Sequence, residues 1–137
     1  MISVPKLMLA AALVGAVPLA SAAAAPLDGG EIRARSTGGE FRGYGSTPRY
    51  HLEDFILRLR PDGFVSSTSL LRRRHSMNSG NFEEYSDAGS WRVEGNRLCV
   101  EFGGAHRYLS GCYGVDGREG DHVRLIGPVL LEGTLGR

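Results

Sequence analysis

From Tyr50 onward, apolar and polar residues alternate with the two-residue period of strands that bury one face. In "YHLEDFILRLR" the alternating positions are Phe55, Leu57 and Leu59. The turn Pro61-Asp62-Gly63 follows, then a return strand "FVSSTSLL". "GSWRVE" and "RLCVEF" flank Gly95-Asn96, a pair suited to the tip of a two-residue hairpin. Further on, "DHVRLI" alternates Val123 and Leu125, Gly127-Pro128 breaks it, and "VLLEGTL" supplies a last strand. A short segment "EFRGYG" precedes them all. One stretch departs from the period: "LDGGEIRARSTGG" places Asp28 as an N-cap, Glu31 at capping-box spacing and Gly38-Gly39 as a stop. Leu27 and Ile32 are spaced as a hydrophobic staple. This short, polar helix needs a partner, so it lies on an edge or closes one end of a sheet. The expected fold is mainly β: an antiparallel meander of about seven or eight strands, curled into a small barrel or a strongly bent sheet, with one short N-terminal helix. Twenty glycines suit many tight turns and strong curvature.

The hairpin at Gly95-Asn96 fixes a register. Val93 falls opposite Leu98 and Trp91 opposite Val100, all on one face. If the next connection, Gly103 to His106, lets Phe102 face Leu109, then Val100 faces Gly111 and Leu98 faces Tyr113. The same pairing puts Cys99 opposite Cys112 on the other face. One register therefore meets two separate demands, and a disulfide between adjacent strands is expected. The remaining reading is two free buried thiols; no C-x-x-C is present to suggest a redox site. Gly111, in a row with Trp91 and Val100, leaves room beside the indole.

The first residues read as a leader rather than as fold. Lys6 precedes the apolar run "LMLAAALVGAVPLA" and the small residues "SAAAA". That is the pattern of a secretory signal peptide, residues 1–24, with cleavage after Ala22 or Ala24. The run is too short for a membrane span and Pro18 interrupts it. No cysteine at the cleavage region marks a lipoprotein. One domain over residues 25–137 remains, with a periplasmic or secreted address and no membrane span, in a compartment where two cysteines pair.

Export also changes the charge. Of the 16 basic residues one is Lys6, so 15 arginines remain against 15 acidic side chains. A balanced chain has no global field for nucleic acid or anionic lipid. The longest polar stretch, Arg72 to Ser90, reads as a loop, either functional or disordered. It opens with Arg72-Arg73-Arg74-His75. Arg72 and Arg74 share a face and could bind a carboxylate, phosphate or sulfated group; the plainer reading is a solvated edge that resists sheet-to-sheet association.

No catalytic motif emerges. Ser66, Ser67 and Ser69 lie in a strand without a G-x-S-x-G elbow. His51, His75, His106 and His122 show no metal spacing and read as solvent-exposed. Glu53-Asp54 and Glu83-Glu84 are neighbours on strands and so face opposite ways. No enzyme activity, metal or cofactor is expected. The small polar middle of "FVSSTSLL" fits either a solvent-facing strand or a partly polar hollow that holds one ligand.

Several motifs recur in a recognisable order: Leu27-x-Gly29-x-Glu31-Ile32-Arg33, Asp62-Gly63, Gly89-x-Trp91-x-Val93-x-Gly95, Leu98-Cys99-x-x-Phe102, Cys112-Tyr113 and Gly120-Asp121. In this the chain resembles a family of small uncharacterised secreted proteins of proteobacteria, with an L-x-G-x-E-I helix before a G-x-W, two-cysteine β-meander. The resemblance implies a periplasmic or secreted location and no established activity. The chain departs from the family in its Arg72–Ser90 stretch and its "LEGTLGR" ending. Gly89-Ser90-Trp91 is also similar to the lipocalin G-x-W, but sits in the second half of the chain rather than near the start of a barrel.

The expected function is a non-enzymatic exported binding module for a small molecule or envelope component, with Arg72, Arg74, His75 and Trp91 at a barrel mouth. The alternative is a protein-interaction role, such as inhibitor or escort of a periplasmic hydrolase, through the Arg72–Ser90 stretch.

Overall fold

The structure, a computed structural model, describes residues 24–73 and 82–137. The predicted leader falls on residues outside this range, except for Ala24. A two-residue strand, β1 (Ala25–Pro26), leads into helix α1 (Gly29–Ser36). Then follow β2 (Gly39–Ser46), β3 (Tyr50–Leu59), β4 (Phe64–Arg73), β5 (Glu83–Glu94), β6 (Arg97–Phe102), β7 (Gly111–Gly117), β8 (His122–Ile126) and β9 (Leu130–Gly136). Each strand from β2 to β9 pairs antiparallel with the next, and β9 pairs back onto β2. The meander is thus a closed eight-stranded barrel rather than an open bent sheet, with β1 added to β7 from outside the ring.

Alternation explains the core. Phe41, Leu57, Leu59, Val65, Leu98, Val100, Val115, Val123, Leu125 and Leu135 all point inward and are buried. Each such side chain contributes about 1.5–3 kcal/mol by leaving water. One irregularity bends the wall: the ladders β2–β3 and β3–β4 shift register between Gly43 and Gly45 and between Glu53 and Ile56. Leu52 and Phe55 both face inward although an odd spacing separates them, because Glu53 and Asp54 bulge outward together. Asp54 takes a φ of 46° there, a left-handed conformation that short acidic side chains tolerate.

Helix α1 forms as its caps direct. Asp28 accepts a hydrogen bond from the Glu31 amide at 2.8 Å, and Gly38 turns the chain at a φ of 71°. Ile32 is fully buried and Leu27 nearly so, in the same cluster as the barrel core. The Gly29 amide donates to Asn96 Oδ1 at 2.8 Å, tying the helix to the β5–β6 turn. The helix therefore closes the barrel end that carries the β3–β4, β5–β6 and β7–β8 turns.

The predicted hairpin register is observed: Trp91 opposite Val100, Val93 opposite Leu98, Leu98 opposite Tyr113 and Val100 opposite Gly111. Cys99 and Cys112 are ladder partners joined by a disulfide. Three expectations need correction. Phe102 does not pair with Leu109; the ladder ends at Val100–Gly111, and Leu109 lies in a 3-10 turn (Arg107–Leu109), buried. Gly111 makes room for Pro128 rather than for Trp91, since a Cβ there would meet Pro128 Cγ at 2.6 Å. The stretch Arg72 to Ser90 is mostly strand: β4 runs to Arg73 and β5 starts at Glu83.

Candidate functional site

An up-and-down barrel puts every second connection at one end. The end opposite α1 gathers the β2–β3 turn (47–49), the end of β4 and the start of β5, the β6–β7 connection (103–110) and the β8–β9 turn (127–129). The β6–β7 connection does not arch over this mouth. It dips into it, and His106 is only 1% exposed.

The interior is built to receive that imidazole. Ser67 and Ser69 point inward from β4 and are buried. Ser67 Oγ lies 2.5 Å from His106 Nδ1 and Ser69 Oγ 2.7 Å from Nε2. One tautomer satisfies every group. Nδ1–H donates to Ser67, the Ser67 hydroxyl donates to the Asp87 carbonyl at 3.4 Å, and the Ser69 hydroxyl donates to a bare Nε2. Phe55 and Phe102 pack edge-on against the ring, with centroids 5.7 and 6.0 Å away. Burial pushes the His106 imidazole below the usual histidine value, and the Asp87 charge offsets this only in part. His106 is therefore a neutral core group, not the exposed bystander its spacing suggested. The small polar middle of β4 does face the interior, and His106 fills the space it leaves.

Asp87, inward from β5, holds the connection in place. Its Oδ2 accepts from the amides of Gly104 at 3.0 Å and His106 at 2.9 Å, and its Oδ1 accepts from Ala88 at 2.7 Å. Burial would raise this carboxyl; the amides of His106, Ala88 and Gly104 outweigh it and hold the group below the ordinary carboxylate range. Serine, histidine and aspartate are thus neighbours, but the aspartate bonds the backbone of His106 and not its ring. The carboxylate takes backbone N–H groups, and the two imidazole nitrogens are held by Ser67 and Ser69.

Above His106 the mouth opens into a cavity of about 190 Å³, lined by Tyr50, Leu71, Tyr85, Ala105, His106 and Tyr108. Burial, reinforced by Tyr50 and Tyr85, pushes the Tyr108 phenol up to about 12, so it remains a neutral donor at physiological pH. A second hollow of about 370 Å³ adjoins it, bounded by Thr47, Pro48, Arg49 and Val129 and sharing Tyr50 and Tyr108 as walls. A larger depression, about 810 Å³, lies along the bulged β2–β3 wall. It is bordered by the mixed charges of Arg42, Glu53 and Asp54, with Arg42 and Asp54 exposed, and it shares no lining residue with the two hollows of the mouth.

The residues expected at the mouth are not brought together. Arg72 is there, its guanidinium 5.5 Å from the Phe82 ring centroid. Trp91 is at the closed end, its indole N–H donating to the Arg60 carbonyl at 2.7 Å and its amide to Gly63. Phe64 pairs with Ser90, and the run of β4 from there to Arg72 spans about 26 Å. Arg74 and His75 lie outside the described residues. His51 is half-buried on β3 and His122 is exposed. His106, Asp87 and the three tyrosines were missed. The available signal was the inward phase of Ser67 and Ser69, because buried hydroxyls demand a polar partner.

Among the described residues, the one grouping with metal-ligand atoms is Glu94 with Cys99 and Cys112, and its sulfurs are bonded to each other. No helix among them is long and apolar enough to cross a membrane. These features define a class: an up-and-down β-barrel with one end closed by a helix and the other plugged by a histidine under an aromatic rim. Compared with known proteins, the chain matches no family model, and no curated protein is significantly similar to it.

Proposed function

We propose that the protein is a non-enzymatic, exported binding module that holds a small molecule in the tyrosine-walled mouth above His106. The observation that carries this reading is the cavity itself: an apolar hollow of about 190 Å³ at the open end, walled by three tyrosines and floored by a fixed, neutral imidazole. Pockets of this type, largely preformed and mostly apolar with a few polar groups, are where small ligands bind. Export to the periplasm or beyond is supported by the leader-like N-terminus, the disulfide and the resemblance to small secreted proteins. The test is a thermal-shift and amide-shift screen of the protein from Ala25 onward against small acids, sugars, lipid headgroups and peptidoglycan fragments. A binder raises the melting temperature and moves the amides of Tyr50, Ala105 and Tyr108. A screen in which none of these amides moves at millimolar ligand overturns the reading.

A second reading, inhibition or escort of a periplasmic hydrolase, is favoured by an exposed apolar strip. Tyr44, Leu130 and Ile126 are 57%, 48% and 48% exposed on the neighbouring strands β2, β9 and β8. If the double variant I126E/L130E inhibits or protects purified hydrolases as the wild type does, that surface has no such role.

A further inference from the structure

The two hollows at the mouth differ in chemistry, and together they describe a ligand. The inner one offers aromatic faces and no ionised side chain: three phenols, Leu71, Ala105 and His106, whose nitrogens are both occupied by serines. Its volume of about 190 Å³ is slightly above the roughly 150 Å³ of an apolar cavity known to take up benzene. One six-membered ring fits within it. Aromatic walls favour a flat ring over an aliphatic one through edge-to-face and offset contacts.

The outer hollow begins where Tyr50 and Tyr108 end, and Arg49 is the charged residue on either lining among the described residues. Its position is fixed by a tight turn. Thr47 Oγ1 accepts from the amides of Arg49 at 3.3 Å and Tyr50 at 3.0 Å, while the Thr47 amide donates to the Tyr50 carbonyl at 2.9 Å. Pro48 presets the first central position of that turn. No ion pair is made by Arg49 among the described residues, so its charge is available to an anion with the geometry a carboxylate prefers.

We propose that the mouth is selective for single-ring aromatic acids, the ring lying between Tyr50, Tyr85 and Tyr108 and the carboxylate on the guanidinium of Arg49. This rests on the reading of the mouth as a small-molecule site. Tyrosine cages also attract quaternary ammonium groups; here the carboxylate nearest the cage, that of Glu83, accepts from the Tyr85 hydroxyl and lies outside both linings, and Arg49 repels a cation.

The test is amide-shift titration with four probes: benzoate, benzyl alcohol, cyclohexanecarboxylate and benzyltrimethylammonium. Benzoate is expected to bind most tightly, with shifts at Tyr50, Ala105 and Tyr108. Arg49→Gln, which keeps the Thr47 turn because that turn uses backbone and Thr47 atoms, should weaken benzoate by about tenfold or more and leave benzyl alcohol unchanged. Tyr108→Leu should weaken benzoate and benzyl alcohol alike. Silence from all four probes overturns the small-molecule mouth itself. Benzyl alcohol or the ammonium probe binding as tightly as benzoate, or Arg49→Gln leaving the benzoate-to-alcohol ratio intact, overturns the acid selectivity while the mouth stands. Cyclohexanecarboxylate matching benzoate overturns the preference for a ring.

Discussion

The carboxylate of Asp87, on β5, accepts a hydrogen bond at 2.9 Å from the backbone N–H of His106, in the β6–β7 connection. The same oxygen accepts from Gly104. Asp87 therefore fixes the main chain of the plug, and Ser67 and Ser69 fix its side chain. The floor of the mouth is held by both at once, so the proposed small-molecule site would have little left to order when a ligand arrives.

Removing that carboxylate tests the arrangement. Asp87→Ala leaves two amides of the plug without acceptors, and loss of charge-assisted bonds of this kind costs about 2–4 kcal/mol. Urea denaturation should show the loss, and hydrogen exchange at Gly104 and His106 should speed up more than at Leu98 or Leu125. Uniform acceleration at all four would mean that Asp87 supports the barrel as a whole and not the plug.

Acid should weaken the protein in two separate windows. His106 is held below its unfolded value of about 6.5, so the unfolded chain binds more protons and stability falls as pH drops below about 6.5, levelling off below the folded value. Asp87 and Glu132 are held below ordinary carboxylates, so their contribution is present above about pH 4 and is lost as pH falls through their folded values. Chemical denaturation between pH 8 and pH 5 isolates the first window. The triple variant S67A/S69A/H106L, which removes the polar set together, should flatten it. His106→Leu alone should cost about 1–3 kcal/mol at pH 8, since two buried hydroxyls lose their partner. A slope between pH 8 and pH 5 that survives the triple variant would assign it to other groups.

The G-x-W triplet acts at the closed end. A Cβ on Gly89 would stand 1.7 Å from the Glu101 carbonyl oxygen, so β5 and β6 approach there only without a side chain. Gly89→Ala should cost about 1–3 kcal/mol by forcing the strands apart. Trp91→Phe keeps the ring but loses the bond from the indole N–H to Arg60, costing about 1 kcal/mol. Trp91→Phe should leave ligand binding at the far mouth unaltered, whereas Gly89→Ala also displaces Phe102, its ladder partner and a neighbour of His106. Thermal melts read the first effect and titration with a mouth ligand reads the second.

What the sequence made legible was local. Gly95-Asn96, the alternation beside it and the two cysteines settle three strands, because turn type, burial phase and bond geometry must agree on one register. β5 was half hidden because its inward residues after Glu83 are Tyr85, Asp87 and Gly89, which carry no apolar alternation. Asp87 faces inward to serve a connection, a requirement that exists only once the barrel closes. Placing Trp91 with Arg72 ignored a simple consequence of antiparallel order: one lies near the far end of β5 and the other near the far end of β4, and those ends are opposite. The closure of β9 onto β2 joins segments that no local pattern links.

The disulfide tests the register from outside. Cys99 and Cys112 share the opposite face of the ladder from Leu98, Val100 and Tyr113, Cys99 buried there and Cys112 half-buried. The bond joins neighbours already held by strand pairing, so it closes only a short loop, with a sequence separation of 13. Its contribution should be about 2–4 kcal/mol, chiefly by restricting the unfolded chain. C99S/C112S should lower the denaturation midpoint with little change in slope, and the chemical shifts of Leu98, Val100 and Tyr113 should stay near their oxidised values. Reduction of the wild type should reproduce the variant's midpoint. If reduction instead scrambles those three signals, the staple determines the pairing of β6 with β7, and the inward apolar face is not sufficient to set it.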